Sequence, residues 1–169
     1  MITPIIILLI LITPLVTAYA MTRGRGAAGH TTPDWSRNAA WGLGGSFLFF
    51  SLGHFVQTEG MVAMLPPWVP ERFALVYLTG VLELAIGLAL FLPAWQRRAA
   101  GVAIVVLVLF FPANLYAAVN ATGLGGHQWG PVYLWIRAPL QLMLIGLAYG
   151  VFVSDSPDRS HQRAGLQGG

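Results

Sequence analysis

The chain has 169 residues, enough for one domain; 56% are hydrophobic, only 9% are charged, and the formal net charge is +3. A soluble domain carries roughly a quarter of its residues as charges to cover its surface, so this composition excludes an ordinary soluble fold and makes lipid the expected solvent. The positive charge is all arginine and is scattered between apolar runs rather than forming a stripe, which argues against nucleic acid; with no cysteine, disulfides, thiolate metal sites and iron–sulfur ligation are excluded.

In chain order, five apolar segments approach the roughly 20 residues that a bilayer-spanning helix needs. The first covers residues 2–20. Ala18-Tyr19-Ala20 has the small-x-small form of a signal-peptidase site. No positive residue precedes this run, however, and Arg23 and Arg25 follow it, which favours a retained anchor with the N-terminus outside. After this anchor (1–22) comes a linker (23–38). The second segment runs from Ala39 to about Thr58, the third from Phe73 to Leu92, the fourth from Ala99 to about Val119 and the fifth from about Val132 to Val153. A polar tail, 154–169, follows. The expected fold is all-α: a polytopic transmembrane bundle with a four-helix domain over 39–153 and one extra N-terminal helix.

This topology places Arg23, Arg25, Arg37, Arg97, Arg98, Arg159 and Arg163 on the cytoplasmic side, and Arg72 and Arg137 outside. Tryptophans follow the same frame, with Trp35, Trp41 and Trp95 at the inner boundary and Trp68, Trp129 and Trp135 at the outer one. The expected location is the cell membrane, multi-pass, with the C-terminus inside. Arginine without lysine and the abundance of Ala and Gly suggest a GC-rich bacterial genome.

Polar groups in hydrocarbon must face a partner or a cavity. On the second segment Ser51, His54 and Thr58 share a helical face, with Gln57 and Glu59 near its outer end. Glu83 lies roughly 16 Å below the outer boundary, at 1.5 Å per residue. Gly80 and Gly87 flank it and permit close approach of a neighbouring helix. Asn114 follows Phe110-Phe111-Pro112, and Arg137 and Gln141 share a face four residues apart. Pro112 and Pro139 free the carbonyls of Val108 and Trp135. His54, Glu59, Glu83, Asn114, Arg137 and Gln141 therefore form the candidate ligand-binding set, in a polar pocket of the outer half covered by the stiff loop Pro66-Pro67-Trp68-Val69-Pro70. The plainer reading is a Glu83–Arg137 ion pair that pins two helices, with His54 a packing histidine, Gly42, Gly45 and Gly53 packing residues, and Glu71 suited to the helix N-terminus after Pro70. His30, His127 and His161 fall in loops or the tail, so haem ligation by facing histidines is not expected. No His and carboxylate share metal-site spacing on one helix face, and neither metal nor cofactor is expected.

Six motifs in order carry a resemblance. They are Gly53-His54-Phe55, Met64-Leu65-Pro66-Pro67-Trp68-Val69-Pro70, Leu78-Thr79-Gly80-Val81-Leu82-Glu83-Leu84, Arg97-Arg98-Ala99-Ala100, Phe111-Pro112-Ala113-Asn114-Leu115-Tyr116 and Trp135-Ile136-Arg137-Ala138-Pro139-Leu140-Gln141. Together, over residues 39–150, they resemble the DoxX-like membrane proteins. That resemblance implies a four-helix membrane bundle, with relatives among components of membrane redox systems such as thiosulfate:quinone oxidoreduction and among acetylcholine-receptor chaperones. It also implies a bundle similar to that of sterol isomerases and sigma-2-type ligand-binding proteins. The extra N-terminal helix departs from the pattern, and the lack of cysteine argues against a thiol-based role.

Two functions follow. Without a complete catalytic set, the favoured expectation is a non-catalytic subunit or accessory protein of a larger membrane complex, redox- or quinone-linked in kind, with a membrane-protein partner. The alternative is a site for an apolar small molecule (quinone, sterol-like compound or cationic amphiphile), or an isomerase-like enzyme. In it Glu83 is the acidic anchor, Arg137 and Gln141 orient the ligand, and His54 moves a proton if there is chemistry.

Overall fold

The computed structural model describes residues 35–123 and 127–154, together with residues 5, 6, 8, 9, 12, 13 and 16. Those seven N-terminal positions are helical, but the expected anchor as a whole, the linker up to residue 34 and the tail beyond Ser154 lie outside the described residues. Helix α1 spans Trp35–Val56, short α2 Thr58–Ala63, α3 Arg72–Phe91, α4 Gln96–Val119 and α5 Leu134–Val153; a 3-10 segment, His127–Tyr133, precedes α5. Among the described residues there is no strand, and four helices are long and apolar enough to cross a membrane. The fold is an all-α membrane bundle.

α1 packs on α3, α3 on α4, α4 on α5 and α5 back on α1, closing a four-membered ring. The chain reverses at each step. The capped end of the bundle therefore gathers the C-termini of α1 and α4, the N-termini of α3 and α5, α2 and the 3-10 segment. The opposite end is packed solid. Small residues Ala39, Ala40, Ala99, Ala100, Ala103 and Ala148 are fully or nearly fully buried there, around Leu43, Phe47, Leu90 and Leu144. Alanines let helix axes approach, and in lipid it is this close packing rather than water exclusion that holds helices together. Toward the capped end the lining turns bulky, with Phe49, Phe50 and Phe110 half-buried, and the helices no longer fill the space between them. Leucines and valines such as Leu78, Leu88, Val105 and Leu142 point outward, as a lipid-solvated surface requires.

The α1–α3 interface rests on absent side chains. A Cβ on Gly87 would lie 3.1 Å from the Gly44 carbonyl oxygen, and one on Gly44 would lie 3.1 Å from that of Gly87. Gly80 and Gly87 thus permit close approach as expected, although Gly44 is their counterpart on α1. Ser51 crosses the same interface, its hydroxyl donating to the Gly80 carbonyl at 2.9 Å. Ser51→Ala is expected to cost about 0.6 kcal/mol, the average for an interhelical bond in a membrane, read as a lower denaturation midpoint in mixed micelles.

Several boundaries differ from expectation, among them the fourth segment, which begins at Gln96 rather than Ala99. α1 starts at Trp35 rather than Ala39, because Trp-Ser-Arg-Asn contains no breaker and extends the helix. The chain kinks at Gln57 (φ −127°), where the Thr58 hydroxyl takes the His54 carbonyl at 2.7 Å. The fifth helix begins two residues late because Gly130 (φ 77°) and Pro131 break the entering chain into a 3-10 segment.

Candidate functional site

At the capped end the four helices enclose a cavity of about 520 Å³, within the range of small-molecule sites. α1 contributes Phe49, Phe50, Leu52, Gly53, His54 and Val56; α3 contributes Val76, Thr79 and Glu83. α4 adds Leu107, Leu109, Phe110, Ala113 and Asn114, and α5 adds Arg137, Leu140 and Gln141. Met61 and Met64 of the α2 region, with His127 and Tyr133 of the 3-10 segment, roof it. Leu52, Val56 and Leu109 line the cavity yet are 58%, 68% and 67% exposed. The cavity wall therefore reaches the outer surface of the bundle at these residues.

The polar centre is a pair between α1 and α3. His54 Nε2 lies 3.2 Å from Glu83 Oε2, an ion-pair distance without hydrogen-bond alignment. On the other side of the ring, His54 Nδ1 sits 2.9 Å from the Val76 carbonyl oxygen and 3.3 Å from the Thr79 hydroxyl. A carbonyl can only accept, so Nδ1 carries the hydrogen and Nε2 is the atom presented to Glu83. The Thr79 hydroxyl donates to Leu75 and Val76, which leaves its lone pair for the imidazole. Glu83 itself is only 5% exposed, so a charge on it has the histidine and the cavity, not bulk water, to meet it.

Gln141 joins α5 to α4 by donating from Nε2 to the Leu107 carbonyl at 2.6 Å, while its buried Oε1 has no hydrogen-bond partner. The carbonyl it meets is one residue before the expected Val108, whose side chain is turned outward. Asn114 is buried and donates within its own helix to Phe110 at 3.1 Å. Arg137 lines the cavity and lies within electrostatic reach of Tyr133 and Glu83, but it forms no ion pair or hydrogen bond with any described residue.

Of the six candidate residues, five line this cavity: His54, Glu83, Asn114, Arg137 and Gln141. Glu59 is exposed on α2 and does not. The Glu83–Arg137 ion pair of the plainer reading is absent among the described residues; Glu83 faces His54 because Gly80 lets α1 close on α3 there. The Pro66–Pro70 loop is not the cover. Its prolines drive a tight reversal (Val69 N–H to the Pro66 carbonyl, 3.1 Å) that leaves Trp68 80% exposed, and none of the five lines the cavity. Nor does Glu71 cap α3 through its side chain: its backbone is left-handed (φ 48°) and the side chain makes no capping bond.

Sequence reasoning missed the roof. His127 was expected in a loop, but it is buried and its ring packs edge-on against Tyr133 with centroids 4.9 Å apart. The signal available was His-Gln-Trp-Gly-Pro, a breaker flanked by aromatics at a helix entrance. His30 and His161 lie outside the described residues. Among the described residues no three His, Asp or Glu side chains are grouped to hold a metal ion.

No curated protein and no solved structure matches the chain. A family model does match it, over residues 43–152, a span that contains every residue lining the cavity. The chain therefore belongs to that family, described as Domain of unknown function (DUF8561).

Proposed function

We propose that this chain is a DoxX-like membrane protein whose bundle holds a small, chain-bearing molecule taken up sideways from the bilayer. The observation that carries this reading is the cavity beside Glu83: polar at its base, apolar at its walls, and open between Leu52, Val56 and Leu109. A cluster that merely pinned helices would bring Glu83 and Arg137 into contact and close the space between them. Here the helices leave the space, and among the described residues Arg137 and the Oε1 of Gln141 have no hydrogen-bond or ion-pair partner. Buried polar groups without protein partners are what a ligand head satisfies. The open void therefore supports a ligand role over the accessory-subunit role.

The same reading orients the protein. Arg37, Arg97 and Arg98 lie at the end opposite the cavity, stacked over Trp41, Phe152 and Trp95 at 5.6, 5.5 and 5.5 Å. Arginines with aromatics suit the cytoplasmic interface, which supports an orientation with the cavity in the outer half of the bilayer.

The test is photolabelling in lipid nanodiscs with a twelve-carbon alcohol carrying a terminal diazirine. Saturable labelling at Leu52, Val56, Leu109 and Met61, competed by unlabelled dodecanol, is the expected result. Ala113→Trp, which fills the cavity from α4, should abolish it without lowering the melting temperature. Labelling spread evenly over outward residues such as Leu78, Leu88 and Leu142, and indifferent to Ala113→Trp, would sink the reading.

A further inference from the structure

The contacts around the cavity leave one charged group without a close partner among the described residues, and that group identifies the head of the ligand. His54 Nδ1 carries a hydrogen because it faces the Val76 carbonyl. Its Nε2 faces Glu83 Oε2 at 3.2 Å inside a buried site. If Nε2 were bare and Glu83 ionised, two lone pairs would oppose each other there. A hydrogen on either atom removes that conflict and makes the contact a pairing of Glu83 with His54.

That leaves Arg137. Glu83 is the sole carboxylate among the lining residues, and its close contact is with His54 rather than with Arg137. His127, the other histidine of the lining, adds positive charge or none. The guanidinium, always protonated, faces the cavity without an ion pair or hydrogen bond to any described residue. Beside it the Tyr133 side chain, within electrostatic reach and likewise without a hydrogen bond to any described residue, lines the same cavity and offers its hydroxyl as a second donor.

We propose that the cavity selects an amphiphile with an anionic head, a carboxylate or phosphate monoester on a hydrocarbon chain, held by Arg137 and Tyr133 while the chain leaves between Leu52, Val56 and Leu109. The proposal rests on the reading of the cavity as a ligand site and adds the head-group class to it. Glu83 then serves the pair with His54 and is not an anchor for a cation. A guanidinium fork matches carboxylate and phosphate oxygens in geometry as well as charge.

The experiment measures competition against the saturable photolabel by dodecyl phosphate, dodecanol and dodecyltrimethylammonium, whose chains are equal. Dodecyl phosphate should compete at about one-tenth of the dodecanol concentration or less, the ratio expected for a charge-assisted bond. Arg137→Gln should erase that preference and leave dodecanol competition intact. Arg137→Lys should keep most of it. Arg98→Gln, which removes the same charge from the far end, should change nothing, and so separates the site from general attraction to a basic protein. Dilauroyl phosphatidate distinguishes a bilayer lipid from a free amphiphile, either of which supports the proposal. Equal competition by dodecanol and dodecyl phosphate overturns it while leaving the cavity reading in place. So does preference for dodecyltrimethylammonium that Glu83→Gln removes. Absence of saturable labelling fails the cavity reading and this proposal with it.

Discussion

His54→Ala will destabilise the bundle by about 3 kcal/mol, whereas Glu83→Gln at the other end of the same contact will cost about 1 kcal/mol or less. The asymmetry comes from what each change leaves behind. Without His54, Glu83 stays buried with no described group in contact with its Oε2, and removing one partner of a buried pair costs roughly 3–5 kcal/mol. The low end applies because the carboxyl can take up a proton and Arg137 lies within electrostatic reach. Without the Glu83 charge, the amide of glutamine still offers a donor to Nε2, and an interhelical hydrogen bond in a membrane is worth only about 0.6 kcal/mol on average. The double variant His54→Ala/Glu83→Gln should therefore recover a large part of the loss. Denaturation midpoints of the four proteins in mixed micelles give the cycle directly. If the double variant is no more stable than His54→Ala, the buried charge is not the cause.

The bundle was legible in the sequence because lipid leaves few alternatives: four apolar runs of about 20 residues must be helices that satisfy their own backbones. Depth was legible for the same reason, since residue count along a helix fixes height, and His54, Glu83, Asn114, Arg137 and Gln141, expected at one end of the bundle, line one cavity. Azimuth was not. Which of several polar groups at similar depth meet depends on how closely each pair of helices packs. The glycines at 44, 80 and 87 draw α1 onto α3 and give Glu83 to His54 rather than to Arg137. The roof was illegible for another reason. His127 and Tyr133 reach the cavity through a 3-10 turn set by Gly130 and Pro131, and no periodicity records where such a turn points. Glu59 was misplaced because the kink at Gln57 ends α1 and turns α2 away from the helical face that an unbroken helix would have continued.

The packing at Gly80 shows how closely fold and site are joined. A Cβ there would stand 2.7 Å from the His54 Cβ and 3.3 Å from its Cγ. Neither is the free end of a side chain, so relief requires α1 itself to move away from α3. At Gly87 the nearest atom, 2.9 Å away, is a Leu48 methyl that can rotate aside, but the Gly44 carbonyl oxygen at 3.1 Å belongs to the backbone. Alanine favours helix over glycine by roughly 0.5–1 kcal/mol, while overpacking costs roughly 1–3 kcal/mol. Gly80→Ala should therefore be destabilised by about 1–2 kcal/mol and Gly87→Ala by less, about 1 kcal/mol. Because the displaced atom belongs to His54, Gly80→Ala should also disturb the contact with Glu83. In Gly80→Ala, but not in Gly87→Ala, adding His54→Ala should then cost clearly less than it does in the wild type. Additive penalties in both backgrounds would mean that His54 holds its place without the glycine, and that the close approach of α1 to α3 is not what builds the pair.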